Sequence, residues 1–146
     1  KLLSTIKVIR MLNIGKRRNI ALAGTAGNVA THLSPGANKR WLFIRATITL
    51  VCDASIADRY IAIFVTDGTN VIERVAVNTA AITAGQTKSM TLGEGRLVSN
   101  ATYGMDFGVG ISPILLEVND SVYIQIISGV AGDSYSARYT VLEVDA

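Results

Sequence analysis

The stretch of residues 40–77 constrains the fold most, because its apolar side chains recur at every second position. Its first segment has apolar residues at the even positions Leu42, Ile44, Ala46, Ile48 and Leu50, and Arg45, Thr47 and Thr49 between them. A period of two is typical of a β-strand with one face in a core. Two polar connections, residues 53–58 and 66–70, divide the stretch into three consecutive strands, and Gly68 allows the second connection to form a hairpin turn.

The same pattern extends over most of the chain. Further strands are predicted at residues 19–23, 86–92, 114–118, 121–128 and 135–144, with a bulge or twist in the last one near Val141 and Leu142, where the apolar phase shifts. The second strand of the central stretch, residues 59–65, is apolar on both faces, which predicts a central position in its sheet. Residues 32–38, around Pro35-Gly36, indicate a turn. The fold class is therefore all-β: a single antiparallel β-sandwich of about eight strands, jelly-roll-like.

Charge is distributed unevenly along the chain. Nine cations precede the first acid, Asp53: Lys1, Lys7, Arg10, Lys16, Arg17, Arg18, Lys39, Arg40 and Arg45. This part carries +9 and the remainder −6, although the net charge is only +3. Such an uneven distribution of charge predicts an electrostatic contact, either with a polyanion or between copies of the chain. We divide the chain into residues 1–18, an extended basic N-terminal arm or edge strand, and residues 19–146, the β-sandwich domain.

Composition points to association with other subunits. The chain is 49% hydrophobic and 17% charged with a mean hydropathy of +0.37, which is high for a small soluble monomer. Apolar surface buried between subunits would account for this. No apolar run reaches the roughly 20 residues of a membrane-spanning helix, so no membrane partner is expected. Cys52 is the single cysteine and ends an apolar strand, which predicts a buried, inert thiol.

Motifs for chemistry are weak. His32 is the only histidine and is expected to be exposed beside a turn, so a Ser-His-Asp triad has poor support. One His and one Cys do not make a zinc site at ordinary spacings. Loop acids and amides are ligands of the kind that calcium takes, but turn formation explains the same residues. We expect no enzymatic activity, no cofactor and no metal.

Three segments resemble parts of small β-sandwich structural proteins of tailed bacteriophages and related viruses. They are the Pro-Gly turn followed by Lys39-Arg40-Trp41-Leu42, the run from Asp53-Ala54 through Asp58-Arg59 to Thr66-Asp67-Gly68-Thr69-Asn70, and the closing Gly132-Asp133-Ser134-Tyr135 with its long last strand. The resemblance covers roughly residues 18–144. It implies a virion component of the capsid decoration or minor capsid type. The partners it implies are other copies of the chain, as a trimer or higher oligomer, and a major capsid protein.

From this resemblance and the charge split, we expect eight residues to contact other subunits or the capsid: Lys7, Arg10, Lys16, Arg17, Arg18, Arg40, Trp41 and Arg45. Nucleic acid is the less favoured partner of the arm, because few aromatic residues accompany its cations. The alternative function is that of a carbohydrate-binding β-sandwich module on a fibre or host-attachment structure. In that case Trp41 would be an exposed sugar-stacking platform, with Tyr103 or Tyr123 beside it.

Overall fold

The computed structural model describes residues 15–94 and 106–146. These residues form ten β-strands and no helix, which confirms the all-β prediction. The strands are β1 (Lys16–Ala26), β2 (Thr31–Leu33), β3 (Lys39–Val51), β4 (Tyr60–Thr66), β5 (Val71–Val77), β6 (Thr87–Gly93), β7 (Phe107–Gly110), β8 (Ile114–Leu116), β9 (Ser121–Ile127) and β10 (Ser134–Asp145). The described part of the chain holds no helix with the length and apolarity needed to cross a membrane.

The strands pair in a nested order that defines the topology. β1 pairs with β10, β2 with β9, β3 with β6 and β4 with β5, all antiparallel. Successive pairs alternate between two sheets: the larger has the order β1-β10-β3-β6-β7, with β8 beside β3, and the smaller has the order β2-β9-β4-β5. A long antiparallel ribbon folded over in this way is a jelly roll, as the sequence predicted.

Two strands were not expected from the sequence. β2 (Thr31–Leu33) has only three residues and overlaps the start of the predicted turn, residues 32–38, so that prediction was wrong for His32 and Leu33. β7 contains two glycines and pairs parallel to β6, which is the single parallel pair among the described strands. Both strands are too short to show a periodic pattern, and each is stabilised by backbone hydrogen bonds to a longer neighbouring strand.

The core lies between the two sheets. Along β3, Ala46, Ile48 and Leu50 are buried as predicted, but the phase changes at Ile44, which is only partly buried. Phe43 pairs with Val141 and Arg45 with Thr140, so Ile44 is the extra residue of a β-bulge. The bulge was predicted near Val141 on the partner strand, and this position is confirmed. The bulge shifts by one residue the alternation of core-facing and outward-facing side chains along β3, so the odd-numbered Trp41 and Phe43 belong to the core.

The smaller sheet follows the sequence pattern closely. β4 lies between β9 and β5, which confirms the central position predicted from its two apolar faces. Its core-facing side chains are Ile61, Ile63 and Val65. They pack with alternate residues of β9, of which Val122 and Ile124 are almost completely buried.

Candidate functional site

A buried ion-pair cluster around Arg59 closes one end of the sandwich. The Arg59 side chain is 0% exposed; its Nε donates to Asp133 Oδ2 at 3.0 Å and its Nη2 to Asp53 Oδ1 at 2.8 Å. Its Nη1 donates to the carbonyl oxygens of Ser55 at 2.7 Å and Ala57 at 2.9 Å. The guanidinium therefore connects the loop after β3 to the turn before β10. The sequence placed Arg59 only at the start of a strand.

Asp133 is the anionic centre of this cluster. Besides Arg59, its carboxylate accepts hydrogen bonds from the backbone N–H groups of Asp53 at 2.9 Å and Val130 at 3.0 Å. Burial opposes the charge, but these N–H donors and the Arg59 guanidinium outweigh it and hold the pKa of Asp133 below its ordinary value. Arg59 and Asp133 are fully buried and each charged group has a partner, while the Asp53 side chain is 28% exposed, so the cluster is a structural element.

A chain of hydroxyl and imidazole groups lies on the smaller sheet. His32 Nδ1 is 3.2 Å from Ser121 Oγ, which is 2.8 Å from Thr66 Oγ1. Ser121 is buried, and His32, exposed as expected, stacks on Tyr123 with ring centroids 4.6 Å apart. A nucleophile needs a base that is oriented in turn by a third group. No carboxylate of the described residues has a hydrogen bond to His32, so this arrangement does not form a triad.

Next to that chain is a shallow groove with a volume of about 250 Å³. His32 and Tyr123 form one side of it, and residues of the β4–β5 turn, among them Thr69 and Asn70, form the other. The turn is held by Asp67 Oδ1, which accepts the N–H groups of Thr69 at 2.9 Å and Asn70 at 2.7 Å. Within the described ranges, no group of three His, Cys, Asp or Glu residues is arranged to hold a metal ion.

A second groove, of about 320 Å³, lies on the outer face of the larger sheet, and we call it the arginine groove. It is lined by side chains of three neighbouring strands: Arg17 and Asn19 of β1, Arg138 and Thr140 of β10, and Arg45 and Thr47 of β3. Among the described residues, no carboxylate lines it. Arg138 lies far from the basic N-terminal region in sequence, and no sequence pattern predicts that it lies beside Arg17 and Arg45.

The structure separates the basic triplet of residues 16–18 between two faces of β1. Arg17 points into the arginine groove, whereas Arg18 shares its face with Ile20, which packs on the core. Arg18 Nη1 donates to Glu143 Oε1 at 2.9 Å, and Trp41 Nε1 donates to Glu143 Oε2 at 2.8 Å. The indole N–H, and then Arg18, lower the pKa of Glu143 against the effect of burial. Arg18 therefore stabilises the edge of the sandwich.

The remaining predicted contact residues are dispersed. Lys16 is exposed at the start of β1, and Arg40 forms an ion pair with Glu117. Lys7 and Arg10 lie outside the described residues. The described members of the predicted set therefore do not form one patch, and only Arg17 and Arg45 share a groove.

Trp41 does not form a sugar-stacking platform. Its side chain is 6% exposed, belongs to the core, and lies 6.1 Å from the ring of Tyr139. The expectation of an exposed Trp under the carbohydrate alternative is wrong, because the bulge at Ile44 turns this end of β3 inward. Tyr103 lies outside the described residues. Tyr123 is half-buried against His32 and Phe64.

Several large apolar side chains are exposed at the periphery. Ile56 is 100% exposed at the tip of the β3–β4 loop, and Val71 and Ile72 are more than half exposed on β5. β5 is an edge strand of the smaller sheet. Cys52 is buried and free, as the sequence predicted, and burial raises the pKa of its thiol.

No protein-family model matches the chain, and no curated protein matches it either. Among solved structures, the chain is similar to the Dit (gp 19.1) protein of SPP1, described as a paradigm of the hub adsorption apparatus in phages that infect Gram-positive bacteria. The TM-score is 0.39 and the identity 13%; the match covers 89% of this chain and 48% of that one. The chain thus spans about half the length of that protein. A likeness of this degree does not assign a function.

Proposed function

We propose that this protein is a non-enzymatic virion structural protein, of the capsid decoration or minor capsid type, that assembles into multimers and docks on the capsid lattice. The observation that carries the proposal is the nested pairing of β1 with β10, β2 with β9, β3 with β6 and β4 with β5. Double-sheet jelly rolls of this kind are the architecture of viral capsid domains, and also of lectins and cupins. This is an analogy at the level of the fold, so the surface must support it separately.

Surface features support association with other copies. The exposed side chains of Val71 and Ile72 lie on an edge strand, and Ile56 projects from a loop. Apolar groups in such positions would be covered in a multimer, which also fits the high mean hydropathy of the chain. A trimer or higher oligomer is therefore part of the proposal.

Charge supports docking on an acidic surface. The described cations at the start of β1 and in the arginine groove lie on the larger sheet, on β1, β10 and β3. The segment before β1 adds Lys7 and Arg10. We propose that this side faces the capsid and that the basic N-terminal segment reaches onto the lattice or a neighbouring subunit. The phage Dit protein, as a structural neighbour, agrees with a virion location, but its TM-score is too low to contribute to the argument.

Deletion of the N-terminal segment tests the docking role. A chain that begins at Asn19 would remove Lys16, Arg17 and Arg18, which pair with Glu143, Leu142 and Val141 of β10. A chain that begins at Gly15 keeps the whole of β1 and is the better variant. We expect it to retain the circular dichroism of the full chain and to lose co-sedimentation with capsids. Unchanged co-sedimentation by this variant would refute the role of the segment.

The carbohydrate-binding alternative retains one location, the groove beside His32 and Tyr123. An aromatic ring, amides and hydroxyl groups are the partners that sugars use in proteins, and Tyr123, Asn70 and Thr69 supply them here. This alternative predicts a monomer with glycan affinity that Tyr123→Ala abolishes. Sedimentation velocity and glycan binding of the full chain separate the two functions.

A further inference from the structure

The arginines of the described residues fall into two groups. Arg18, Arg40 and Arg59 form ion pairs with carboxylates, and Arg74 lies over the Phe64 ring at 5.7 Å. The other three, Arg17, Arg45 and Arg138, form no ion pair with any described residue. All three line the arginine groove. The unpaired guanidinium groups are thus concentrated at one place on the surface.

Strand register brings these arginines together. Arg45 faces Thr140 across the β3–β10 ladder, and Arg138 is two residues away on the same face of β10. Such diagonal neighbours are about 7–8 Å apart, within reach of two long side chains. Asn19 faces Thr140 from the other side, and Arg17 is two residues from Asn19 along β1. The groove therefore centres on the row formed by Asn19, Thr140 and Arg45.

Hydrogen-bonding groups in the groove are mainly donors. Thr140 Oγ1 donates to Asn19 Oδ1 at 2.8 Å, which occupies the carbonyl oxygen of Asn19 and leaves its NH₂ group to face the groove. Thr47 Oγ1 is engaged with Thr91 at 3.1 Å. Three guanidinium groups and one amide remain, with no acid to neutralise them. Such a surface favours an anion.

We infer that the arginine groove binds a phosphate-bearing ligand. A single carboxylate carries one charge and satisfies one arginine fork. A free phosphate carries up to about two charges and three acceptor oxygens, and a nucleic acid backbone presents several singly charged phosphates in a row, so either can be shared by several guanidinium groups. The nearest aromatic ring, Tyr139, is only 7% exposed, so the groove has no platform for stacking a base. The recognised chemistry is the phosphate itself, either free or in a nucleic acid backbone. This inference concerns the free chain, because the side proposed to face the capsid includes the same groove.

The test is a calorimetric titration of the full chain, with pyrophosphate in one arm and an oligothymidylate in the other, each repeated at several fixed ionic strengths. The key variant is Arg45→Gln/Arg138→Gln, since both side chains are exposed and neither contributes an ion pair to the fold. Arg74→Gln/Lys88→Gln is the matched control, because it removes the same charge away from the groove. We expect the key variant to weaken saturable binding at least tenfold and the control to weaken it less than twofold.

The two arms identify the source of the phosphate. Tighter binding of oligothymidylate, with a log–log salt slope near −2 as expected for about three phosphate contacts, indicates a nucleic acid backbone; tighter binding of pyrophosphate indicates a free phosphate. The inference is overturned if neither probe saturates, if the control loses as much affinity as the key variant, or if a glutamate-rich peptide binds more tightly than both. Capsid co-sedimentation is measured in a separate experiment, so a failure of phosphate binding and a failure of capsid docking can be told apart.

Discussion

Replacement of Asp133 by Asn tests whether the Arg59 cluster holds one end of the sandwich together. The substitution leaves one side-chain oxygen for three donors, namely Arg59 Nε and the backbone N–H groups of Asp53 and Val130. The new NH₂ group would then face one of these donors. Arg59 would keep Asp53 as its only carboxylate partner while its side chain stays 0% exposed.

The expected loss of stability is large. Removal of one member of a buried ion pair costs about 3–5 kcal/mol, because the remaining charge stays buried and has lost a partner. Domains are stable by only about 5–15 kcal/mol, so the loss is a large part of the total. At about 2–4 °C per kcal/mol for a domain of this size, the melting temperature should fall by about 10 °C.

Trp41 fluorescence provides the assay, since this single, buried tryptophan reports unfolding in urea or on heating. Asp145→Asn is the control: it removes the same charge from a side chain that is 87% exposed and pairs only with Lys39. We expect the control to melt like the wild type. Equal melting temperatures for Asp133→Asn and Asp145→Asn would refute the structural role of the cluster.

Acid denaturation tests the same cluster independently. The pKa of Asp133 is lower in the folded chain than its ordinary value of 3.8. The stability contributed by its ionised form is therefore fully present above that value and is lost as the pH falls through the lower folded pKa. Asp133→Asn lacks this contribution at every pH, so its urea midpoint should fall less steeply in acid than that of the wild type. If the urea midpoints of the wild type and of Asp133→Asn fall in parallel as the pH is lowered, the stabilising role of ionised Asp133 is contradicted.

Three further predictions follow from individual contacts. Gly129→Ala should destabilise the fold strongly, because a Cβ there would lie 2.2 Å from a backbone carbonyl oxygen, whereas Gly36→Ala meets nothing closer than 3.8 Å; equal urea midpoints would contradict this. Cys52 should react with Ellman's reagent in urea and hardly at all in the folded state at pH 8, since burial raises its pKa; rapid reaction of the folded chain would disagree. Glu143→Gln keeps a hydrogen-bond acceptor for the Trp41 indole, so the fluorescence emission of Trp41 should stay blue-shifted, while the stability of the variant should fall less in acid than that of the wild type. A red shift of the emission would contradict this and would show that the carboxylate itself keeps solvent from the ring.

The fold was largely predictable from the sequence because alternation is a local property. β3, β9 and β10 each show a period of two over seven or more residues, β4 is an apolar run between two polar connections, and the positions of all four agree with the prediction. The jelly-roll topology follows from their pairing. The phase change at Ile44 was not predicted on β3 itself, because a bulge is defined by the partner strand, and its signal lay about a hundred residues away in β10.

The candidate sites were less predictable, because each combines residues that are distant in sequence. Arg17 and Arg45 were selected for their charge, but Arg138 becomes their neighbour only through the β3–β10 register. Arg18 looked equivalent to Arg17 in the triplet, yet strand alternation gives it a structural ion pair with Glu143. Local charge indicates where cations are abundant, whereas the pairing of strands decides which of them remain free.

Co-sedimentation of the full chain with capsids, combined with its mass in solution, tests the proposed function most directly. We expect a trimer or higher oligomer that pellets with capsids in a fixed ratio and stays in the supernatant without them. A chain that sediments as a 15.5 kDa monomer, remains in the supernatant with capsids and binds glycans through Tyr123 would contradict it.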